Sequence, residues 1–408
     1  MNQNLSKKLS EIGVSVPKIL LPKDGVDLTK WAVVACDQYT SDKEYWKKVE
    51  ELVGIEPSTA KITFAEVYLE DDDKNNRIQK INYLMEKYLK DGIVEEKFEG
   101  MVLVERQIKD KKRTGIVLAL DLEKYDYHKG SKTLIRATEG TVESRIPPRL
   151  EIRKNATIEL PHIMVLIDDP GKTVIEPLTE ERLERIYDFE LMMGGGRVRG
   201  RRIVEEEIIE RMADALKNLI STDGLLFAMG DGNHSLATAK AYWEQVKIDL
   251  SEEEKEDHPA RFALVEIVNI HDDGLEFEPI HRVLFDVDKD SLEKYLEGDG
   301  KEVEMVYEGE RKTLRLKNMG SNLAVGDLQI LIDKYIEDNQ TVKVDYIHGI
   351  DEVERLSKGR NVGIVLAGMK KEELFSTVEK DGALPRKTFS MGEANEKRFY
   401  LEARKIIK

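Results

Sequence analysis

The sequence has a single cysteine, no long apolar run and no excess of positive charge, and each shortage excludes a class of protein. Cys36 is the only cysteine among 408 residues. One thiol cannot form an internal disulfide or a cysteine-rich zinc or iron–sulfur site, which fits a reducing cytoplasm. No apolar run reaches the roughly 18 residues that a membrane-spanning helix needs. The opening stretch MNQNLSKKLSEIG lacks the apolar part of a secretory signal, so we expect a cytoplasmic protein with no membrane partner.

The charge balance argues against a nucleic-acid partner. Acidic residues outnumber basic ones by 80 to 64, which gives a formal net charge of −16. A polyanion would approach against this field, so we expect no nucleic acid to bind. A small anion held in a cleft remains compatible with the composition.

Strand-sized apolar runs alternate with amphipathic helical patterns, which predicts an α/β (α+β) protein. The chain is too long for one ordinary core. We expect one region over residues 1–285 and a C-terminal α/β region over 286–408. Within the second region the pattern predicts, in chain order, a helix over 325–338, a strand over 343–348, a helix over 351–358, a strand over 362–367 and a helix over 371–380.

Three local patterns in the first region also give definite expectations. Alternating apolar residues predict a strand over 61–69. Residues 179–187 are expected to begin a helix. A buried strand over 224–229 is followed by a helix over 235–246, with a glycine-rich turn between them.

That turn, Gly-Asp-Gly-Asn-His-Ser at 230–235, is the strongest local signal for chemistry. Ligands of open α/β sheets bind where strands end, and the first N–H groups of a helix are unpaired and suit a phosphate. Gly230 and Gly232 leave room for close approach of the backbone. Asp231 is a candidate ligand of Mg²⁺, and His234 is a candidate donor to a phosphate oxygen. The alternative is a purely structural turn with a helix cap.

Two further segments mix arginine with glycine or carboxylates. Residues 136–145 contain Arg136, Glu139 and Arg145, a composition suited to phosphoryl transfer because arginine binds phosphate in a bidentate way and a carboxylate can accept a proton. Residues 194–202 contain Arg197 and Arg199 after three glycines, which can expose N–H groups to an anion. The alternatives are a surface loop with exposed ion pairs and a mobile linker.

Three more residues are weaker candidates. His281 and Arg282 follow Pro279 near a strand end. Asp37 follows the apolar run 31–36 in a strand-to-helix turn, where a helix cap is the alternative role.

Several of these segments together resemble one family. The matching segments, in family order, are Arg-Ala-Thr-Glu at 136–139, Asp-Gly-Asn-His-Ser at 231–235, Val-Asn-Ile-His-Asp-Asp-Gly-Leu at 268–275, Pro-Ile-His-Arg at 279–282 and Leu-Pro-Arg-Lys-Thr-Phe at 384–389. The chain is identified by them as a member of the family that carries the domain of unknown function 1015. That family is similar to the partition-protein/sulfiredoxin-like superfamily, in which a turn of this type holds nucleotide phosphates. Some members phosphorylate free L-serine with a nucleotide or a polyphosphate.

The resemblance implies a mixed-sheet core and a small-molecule phosphotransferase with Mg²⁺ as its cofactor. It implies that Asp231, His234, Arg136 and Arg145 hold the donor phosphates and the metal. Glu139 is then the preferred base, and Asp37 is the second choice. The remaining residues expected to bind phosphate or substrate are Gly230, Gly232, Asn233, Ser235, Thr138, Arg197, Arg199, His281 and Arg282. Asn233 and Ser235 depart from the family, which has His and Arg there, so the donor can differ from that of relatives.

Other functions remain open at this point. One is a nucleotide-binding regulatory module without turnover, although the chain lacks a basic helix that could read DNA. Another is a metal-dependent phosphohydrolase using His234, His271 and His281, which lack the spacing of common zinc motifs. The donor (ATP, ADP or pyrophosphate), the acceptor and the oligomeric state, including a possible homo-oligomer, are not determined by the sequence.

Overall fold

The apolar run Gly-Ile-Val-Leu-Ala-Leu at 115–120 lies in the middle of a ten-stranded sheet, in a computed structural model that describes residues 2–408. Its side chains alternate between two apolar cores. Ile116, Leu118 and Leu120 pack into one core, and Val117 packs into the other. A strand that is buried on both faces needs apolar residues at every position, which explains the unbroken run.

The helices and strands have the following bounds. The α-helices are α1 (Gln3–Glu11), α2 (Leu28–Trp31), α3 (Lys43–Val53), α4 (Lys74–Lys90), α5 (Ile146–Arg153), α6 (Glu206–Asn218), α7 (Asn233–Val246), α8 (Glu252–Asp257), α9 (Lys289–Leu296), α10 (Ala324–Asp338), α11 (Ile350–Leu356) and α12 (Glu373–Asp381). The strands are β1 (Val14–Ser15), β2 (Lys18–Pro22), β3 (Val33–Val34), β4 (Val94–Glu99), β5 (Met101–Ile108), β6 (Lys111–Asp121), β7 (Tyr125–Asp126), β8 (Ile135–Arg136), β9 (Ile158–Glu159), β10 (Met164–Ile167), β11 (Arg185–Glu190), β12 (Arg197–Ile203), β13 (Phe227–Asp231), β14 (Phe262–Asn269), β15 (Phe277–Phe285), β16 (Glu297–Tyr307), β17 (Glu310–Leu316), β18 (Lys343–His348), β19 (Val362–Val365), β20 (Phe389–Met391), β21 (Phe399–Tyr400) and β22 (Arg404–Lys405).

The chain divides into two units. Unit 1 comprises the residues up to Ala137, then Thr141–Leu275 and Glu393–Lys408, and unit 2 comprises Thr138–Gly140 and Glu276–Gly392. The expected boundary at 285/286 therefore needs correction at two places. Strand β15 belongs to unit 2 because it is hydrogen-bonded to β18 and β19, and the last residues of the chain return to unit 1.

The sheet of unit 1 has the order β11-β12-β5-β6-β14-β10-β13-β8-β7, with β1 paired to β6. It is mixed, since β10 is parallel to β14 and antiparallel to β13, while β13 is parallel to β8. Helices α1, α6 and α7 contribute to one core, and α3 and α4 contribute to the other. The α/β fold class with a mixed-sheet core is thus confirmed.

Unit 2 is built on an antiparallel sheet of order β17-β16-β19-β15-β18, to which β20 adds along β15. Its secondary structure agrees with the sequence pattern. The two predicted strands are β18 and β19, and the three predicted helices are α10, α11 and α12.

Two expectations about unit 1, and one of the alternatives, are wrong. Residues 61–69 form no strand, because two 3₁₀ turns, Thr59–Lys61 and Glu66–Tyr68, occupy this stretch. Residues 179–187 do not begin an α-helix, because a short 3₁₀ segment gives way to β11. Residues 197–203 are not a mobile linker, because they form β12, which is paired on both sides with β5 and β11.

Among residues 2–408, no helix is both long enough and apolar enough to cross a membrane.

The C-terminal segment 393–408 is fastened to unit 1 by buried ion pairs. Arg398 contacts the carboxylates of Glu266, on β14, and of Glu402, and all three side chains are at most 5% exposed. Gly115 on β6 makes this possible, since a Cβ there would lie 2.6 Å from Glu266 Oε1. Burial by itself raises the pKa of Glu266, but the guanidinium groups of Arg398 and Arg113 lower it below its ordinary value.

Glu266→Gln should destabilise unit 1 by about 3–5 kcal/mol, because it keeps the shape and removes a charge from a buried ion pair. Tryptophan fluorescence during urea unfolding measures this, since all three tryptophans, Trp31, Trp46 and Trp243, are in unit 1. Lys217→Gln, which breaks an exposed pair with Glu11, is the control and should leave the midpoint unchanged. Equal midpoints for both variants would show that the buried network contributes no stability.

Candidate anion-binding site

The candidate site is centred on the turn between β13 and α7. Strand β13 ends at Asp231 and α7 begins at Asn233, with Gly232 as the N-cap. Gly232 has φ +81°, and a Cβ at this position would lie 3.1 Å from the Cα of Ile163. Both the left-handed backbone and the close approach of Ile163 favour glycine here.

The first turn of α7 has polar groups without partners. No side chain caps the helix. Within residues 2–408, the backbone N–H groups of Asn233 and His234 have no hydrogen-bond acceptor. Asn233 Oδ1 and Thr141 Oγ1 are buried and also have no partner there. Because most buried polar groups in proteins are hydrogen-bonded, this concentration of unpaired groups points to a bound ligand.

His234 is held as a neutral donor. The backbone N–H of Val142 donates to its Nε2 at 3.3 Å, so the proton of the neutral ring is on Nδ1. Burial, and then the positive charges of Arg149 and Arg145, lower the pKa of His234 to about 4. At neutral pH the ring therefore offers one N–H group, Nδ1–H, to an anion.

Three basic residues supply positive charge. Arg149 lies on α5, which packs against α7, and Arg145 precedes α5 in a 3₁₀ turn. On the other side of the turn, Lys397 Nζ lies 3.3 Å from Asp231 Oδ2, and the lysine side chain is 13% exposed. The helix start thus combines unpaired N–H groups with nearby cations, which is the arrangement that stabilises a phosphate or sulfate.

A second group of polar residues begins at Ser235. Its Oγ lies 2.9 Å from His162 Nε2, and the same nitrogen lies 3.5 Å from Asp37 Oδ2. His162 Nδ1 is 3.1 Å from the hydroxyl of Tyr400. A hydroxyl, an imidazole and a carboxylate therefore lie within reach of one another beside the helix start.

A cavity of about 160 Å³ adjoins this group and is lined in part by Glu66, Arg149, His162 and Ser235. Glu66 and Arg149 form an ion pair at its polar side. Burial raises the pKa of Glu66, Arg149 opposes that rise, and the carboxylate of Asp37 adds to it. The cavity provides space for a small molecule next to the carboxylate of Glu66 and the guanidinium group of Arg149.

Eight of the predicted residues lie at or beside this turn. Six are consecutive in the chain, Gly230, Asp231, Gly232, Asn233, His234 and Ser235, and the other two are Asp37 and Arg145. Other predicted residues have different partners. The Arg136 guanidinium is 2.7 Å from Asp223 Oδ2 and also donates to the backbone oxygen atoms of Asp223 and Thr133, before the start of β13. Arg197 and Arg199 point from β12 to Asp188, 2.7 and 3.1 Å away. These three arginines are engaged in ion pairs of their own.

Four of the predicted residues, Thr138, Glu139, His281 and Arg282, belong to unit 2. The Thr138 carbonyl accepts the N–H of Leu384, and the Glu139 carboxylate accepts that of Lys387. Arg282 is fully buried and donates to the carbonyl oxygens of residues 386 and 387. These bonds join the family segments 136–139, 279–282 and 384–389 into one cluster.

His281, the fourth of these residues, accepts the N–H of Leu366 at its Nδ1. Burial, together with the charge of Arg282, lowers the pKa of His281 to about 4. Within unit 2, His281 and Arg282 therefore hold loops in place.

Four residues of the site were not anticipated from the sequence: Glu66, Arg149, His162 and Lys397. Only for Arg149 does the local sequence give a signal. The Pro-Pro pair before it is typical of a helix start, which places this arginine in the first turn of a helix. His162 and Lys397 reach the turn through pairing that is distant in the sequence, and no short motif marks them.

The donor set around Asp231 is a poor fit for Mg²⁺. Asp231 Oδ1 accepts the N–H of Gly232, and Oδ2 faces the ammonium group of Lys397. Mg²⁺ needs octahedral oxygen ligands and would have to displace this lysine. Lys397 already supplies a positive charge at this point, so no step proposed below is assigned to a metal.

Binding of pyrophosphate should raise the pKa of His234 from about 4, because an adjacent anion favours the protonated ring. Titration of the histidine Cε1–H signals by NMR, with and without pyrophosphate, measures this. His234→Gln assigns the signal, and the signal of the exposed His128 is the control. If pyrophosphate binds and the His234 titration does not move, the anion lies elsewhere.

The fold is similar to those of several proteins of known structure. A conserved hypothetical protein from Pyrococcus furiosus has a similar solved structure, with 12% identity, a TM-score of 0.35, and coverage of 71% of this chain and 95% of that one. A mutant free serine kinase in complex with ADP gives 12% identity, a TM-score of 0.39, and coverage of 71% and 92%. SbnI from Staphylococcus aureus, truncated at its C-terminus, gives 10% identity, a TM-score of 0.35, and coverage of 68% and 82%.

No curated protein matches the sequence. A family model described as "Protein of unknown function (DUF1015)" matches residues 20–406. Because this match spans nearly the whole chain, the chain belongs to the DUF1015 family.

Proposed function

We propose that this protein is a small-molecule phosphotransferase that moves a phosphoryl group from a nucleotide or pyrophosphate to a hydroxyl, with free L-serine as the first acceptor to test. The observation that carries the proposal is the uncapped start of α7. There, two unpaired backbone N–H groups and a neutral histidine lie next to Arg145, Arg149 and Lys397. Phosphoryl transfer depends on positioning and on neutralising charge, and these groups provide both.

The donor phosphates would lie against the first turn of α7. Asn233 and His234 would donate backbone N–H groups, and His234 would add Nδ1–H. Lys397 is held on the opposite side of the turn by Asp231, so that its charge is available without a metal. The low exposure of this lysine strengthens its electrostatic effect, since screening by water is weaker there.

The acceptor would lie at the other end of the same turn, in the cavity beside Ser235. L-serine carries a carboxylate and an ammonium group, and the Arg149–Glu66 pair offers the complementary charges. Asp37 is the carboxylate that unit 1 places beside His162, so we assign the role of general base to Asp37 ahead of Glu139. The family resemblance to free L-serine kinases supports the same acceptor.

Asp37→Asn should lower kcat by about 10²–10⁴-fold while donor binding survives, because it removes the base and keeps the shape. Glu139→Gln is the matched comparison in unit 2. Release of O-phosphoserine measures turnover, with ATP, ADP and pyrophosphate tested separately, and calorimetry measures donor Kd. If Glu139→Gln abolishes turnover and Asp37→Asn does not, the base is Glu139. If the unmodified protein phosphorylates no hydroxyl compound, a nucleotide-binding regulatory module becomes the better description.

Lys397→Met should weaken pyrophosphate binding about tenfold or more, with or without Mg²⁺, since a charge-assisted hydrogen bond contributes roughly 1.5–3 kcal/mol. Lys217→Met, an exposed lysine on α6, is the control. Calorimetry in Mg²⁺ and in EDTA measures both variants. A different pattern, in which Asp231→Asn removes only the Mg²⁺-dependent part of binding, would make Asp231 a metal ligand.

A further inference from the structure

The hydroxyl of Ser235 lies in the first turn of α7 but does not cap the helix. Ser235 is the third residue of α7, and Gly232 is the N-cap. The backbone N–H of Ser235 bonds to the carbonyl of Gly232. Instead, Oγ lies 2.9 Å from Nε2 of His162, whose side chain is 8% exposed.

The contacts of His162 are compatible with Nε2 acting as a base. The Tyr400 oxygen accepts the backbone N–H of Cys36 at 3.1 Å and lies 3.1 Å from His162 Nδ1. With the ring proton on Nδ1, His162 donates to this oxygen. In this tautomer His162 Nε2 has a free lone pair that faces Ser235 Oγ.

Asp37 completes the arrangement. Its Oδ2 lies 3.5 Å from His162 Nε2, where a carboxylate stabilises the imidazolium that forms when the ring takes a proton. Tyr400 packs edge-on against the imidazole, with ring centroids 5.6 Å apart, and fixes its orientation. Ser235, His162 and Asp37 therefore form a nucleophile, a base and a charged support, as in enzymes that use an activated hydroxyl.

From this geometry we infer that Ser235 is itself a phosphoryl acceptor. Ser235 Oγ attacks the terminal phosphorus of a bound nucleotide or pyrophosphate and forms a new O–P bond. The bridging P–O bond of the donor breaks, and its electrons stay with the leaving group, which is phosphate from pyrophosphate or the nucleotide shortened by one phosphate. The Ser235 proton passes to His162 Nε2. The phosphoserine that results lies at the positive end of α7 near Arg149, which stabilises its charge. This step rests on the proposed phosphotransferase function, since it uses the same donor site.

The test incubates the full-length protein with ATP, ADP or pyrophosphate, each alone and without an external acceptor. Intact-mass spectrometry should show the gain of one phosphoryl group, and peptide mapping should place an acid-stable modification on Ser235. Ser235→Ala should abolish it, whereas Ser235→Thr, which keeps a hydroxyl, should retain it. His162→Gln should slow labelling by about 10²-fold or more, because the general base is lost.

Two controls keep the result specific. Ser144→Ala removes an exposed hydroxyl that neighbours Arg145 and should leave labelling unchanged. Tryptophan fluorescence unfolding of each variant shows whether unit 1 is intact, and if His162→Gln does not fold, the Ser235→Ala and Ser235→Thr pair decides the question.

Three results would overturn the inference, and they separate it from the proposed function. Labelling that persists in Ser235→Ala, or that is acid-labile and therefore on histidine, places the phosphoryl group elsewhere. An unlabelled protein that still phosphorylates an external hydroxyl compound refutes the role of Ser235 and leaves the phosphotransferase intact. If neither the protein nor any external compound is phosphorylated, both proposals fail.

Discussion

The buried contacts of Arg398 with Glu266 and Glu402 determine where the parts of the candidate site lie. They bind the C-terminal segment to the central sheet of unit 1. Arg106 reinforces the attachment by donating to backbone carbonyls of residues 395–397, and Trp31 donates to the carbonyl of Leu401. Residues on either side of Arg398 are thereby fixed, so that Lys397 reaches Asp231 and Tyr400 reaches His162.

The candidate site contains both cationic side chains and carboxylates. The carboxylate of Asp231 is paired with Lys397, and that of Glu66 is paired with Arg149, so each of these cations is held by an anion. His234 stays neutral because it is buried near Arg149 and Arg145, so it adds a donor without adding another fixed charge. In the proposed reaction, this one short turn would hold both the phosphoryl donor and the acceptor.

Local sequence patterns predicted individual helices, strands and turns. They did not predict which charged residues pair when they are far apart in the sequence. Apolar periodicity and glycine placement predicted the strand-to-helix turn near 230–235 and the elements β18, β19 and α10–α12. The structure has these elements within a few residues of the expected bounds, but β13 continues to Asp231 and α7 begins at Asn233, which shortens the turn. The partners of charged residues were not predictable in this way. Arg136 and Arg197 lie in segments whose composition suits a phosphate site, yet each is paired with an aspartate. His162 and Lys397 reach the turn only through contacts that are distant in the sequence. A guanidinium group suits a carboxylate as well as a phosphate, and composition does not distinguish between them.

The return of residues 393–408 to unit 1 also has a consequence for biosynthesis. These residues follow unit 2 in the chain and are therefore synthesised after it. Until then β3 lacks its partner β21, β9 lacks its partner β22, and Glu266 on β14 has no Arg398 opposite it. Apart from Thr138–Gly140, unit 2 is continuous in sequence from Glu276 to Gly392 and can begin to fold during translation, whereas the polar turn at α7 receives Lys397 and Tyr400 only once residues 393–408 have left the ribosome. A nascent chain that stops short of residue 393 therefore lacks an assembled site.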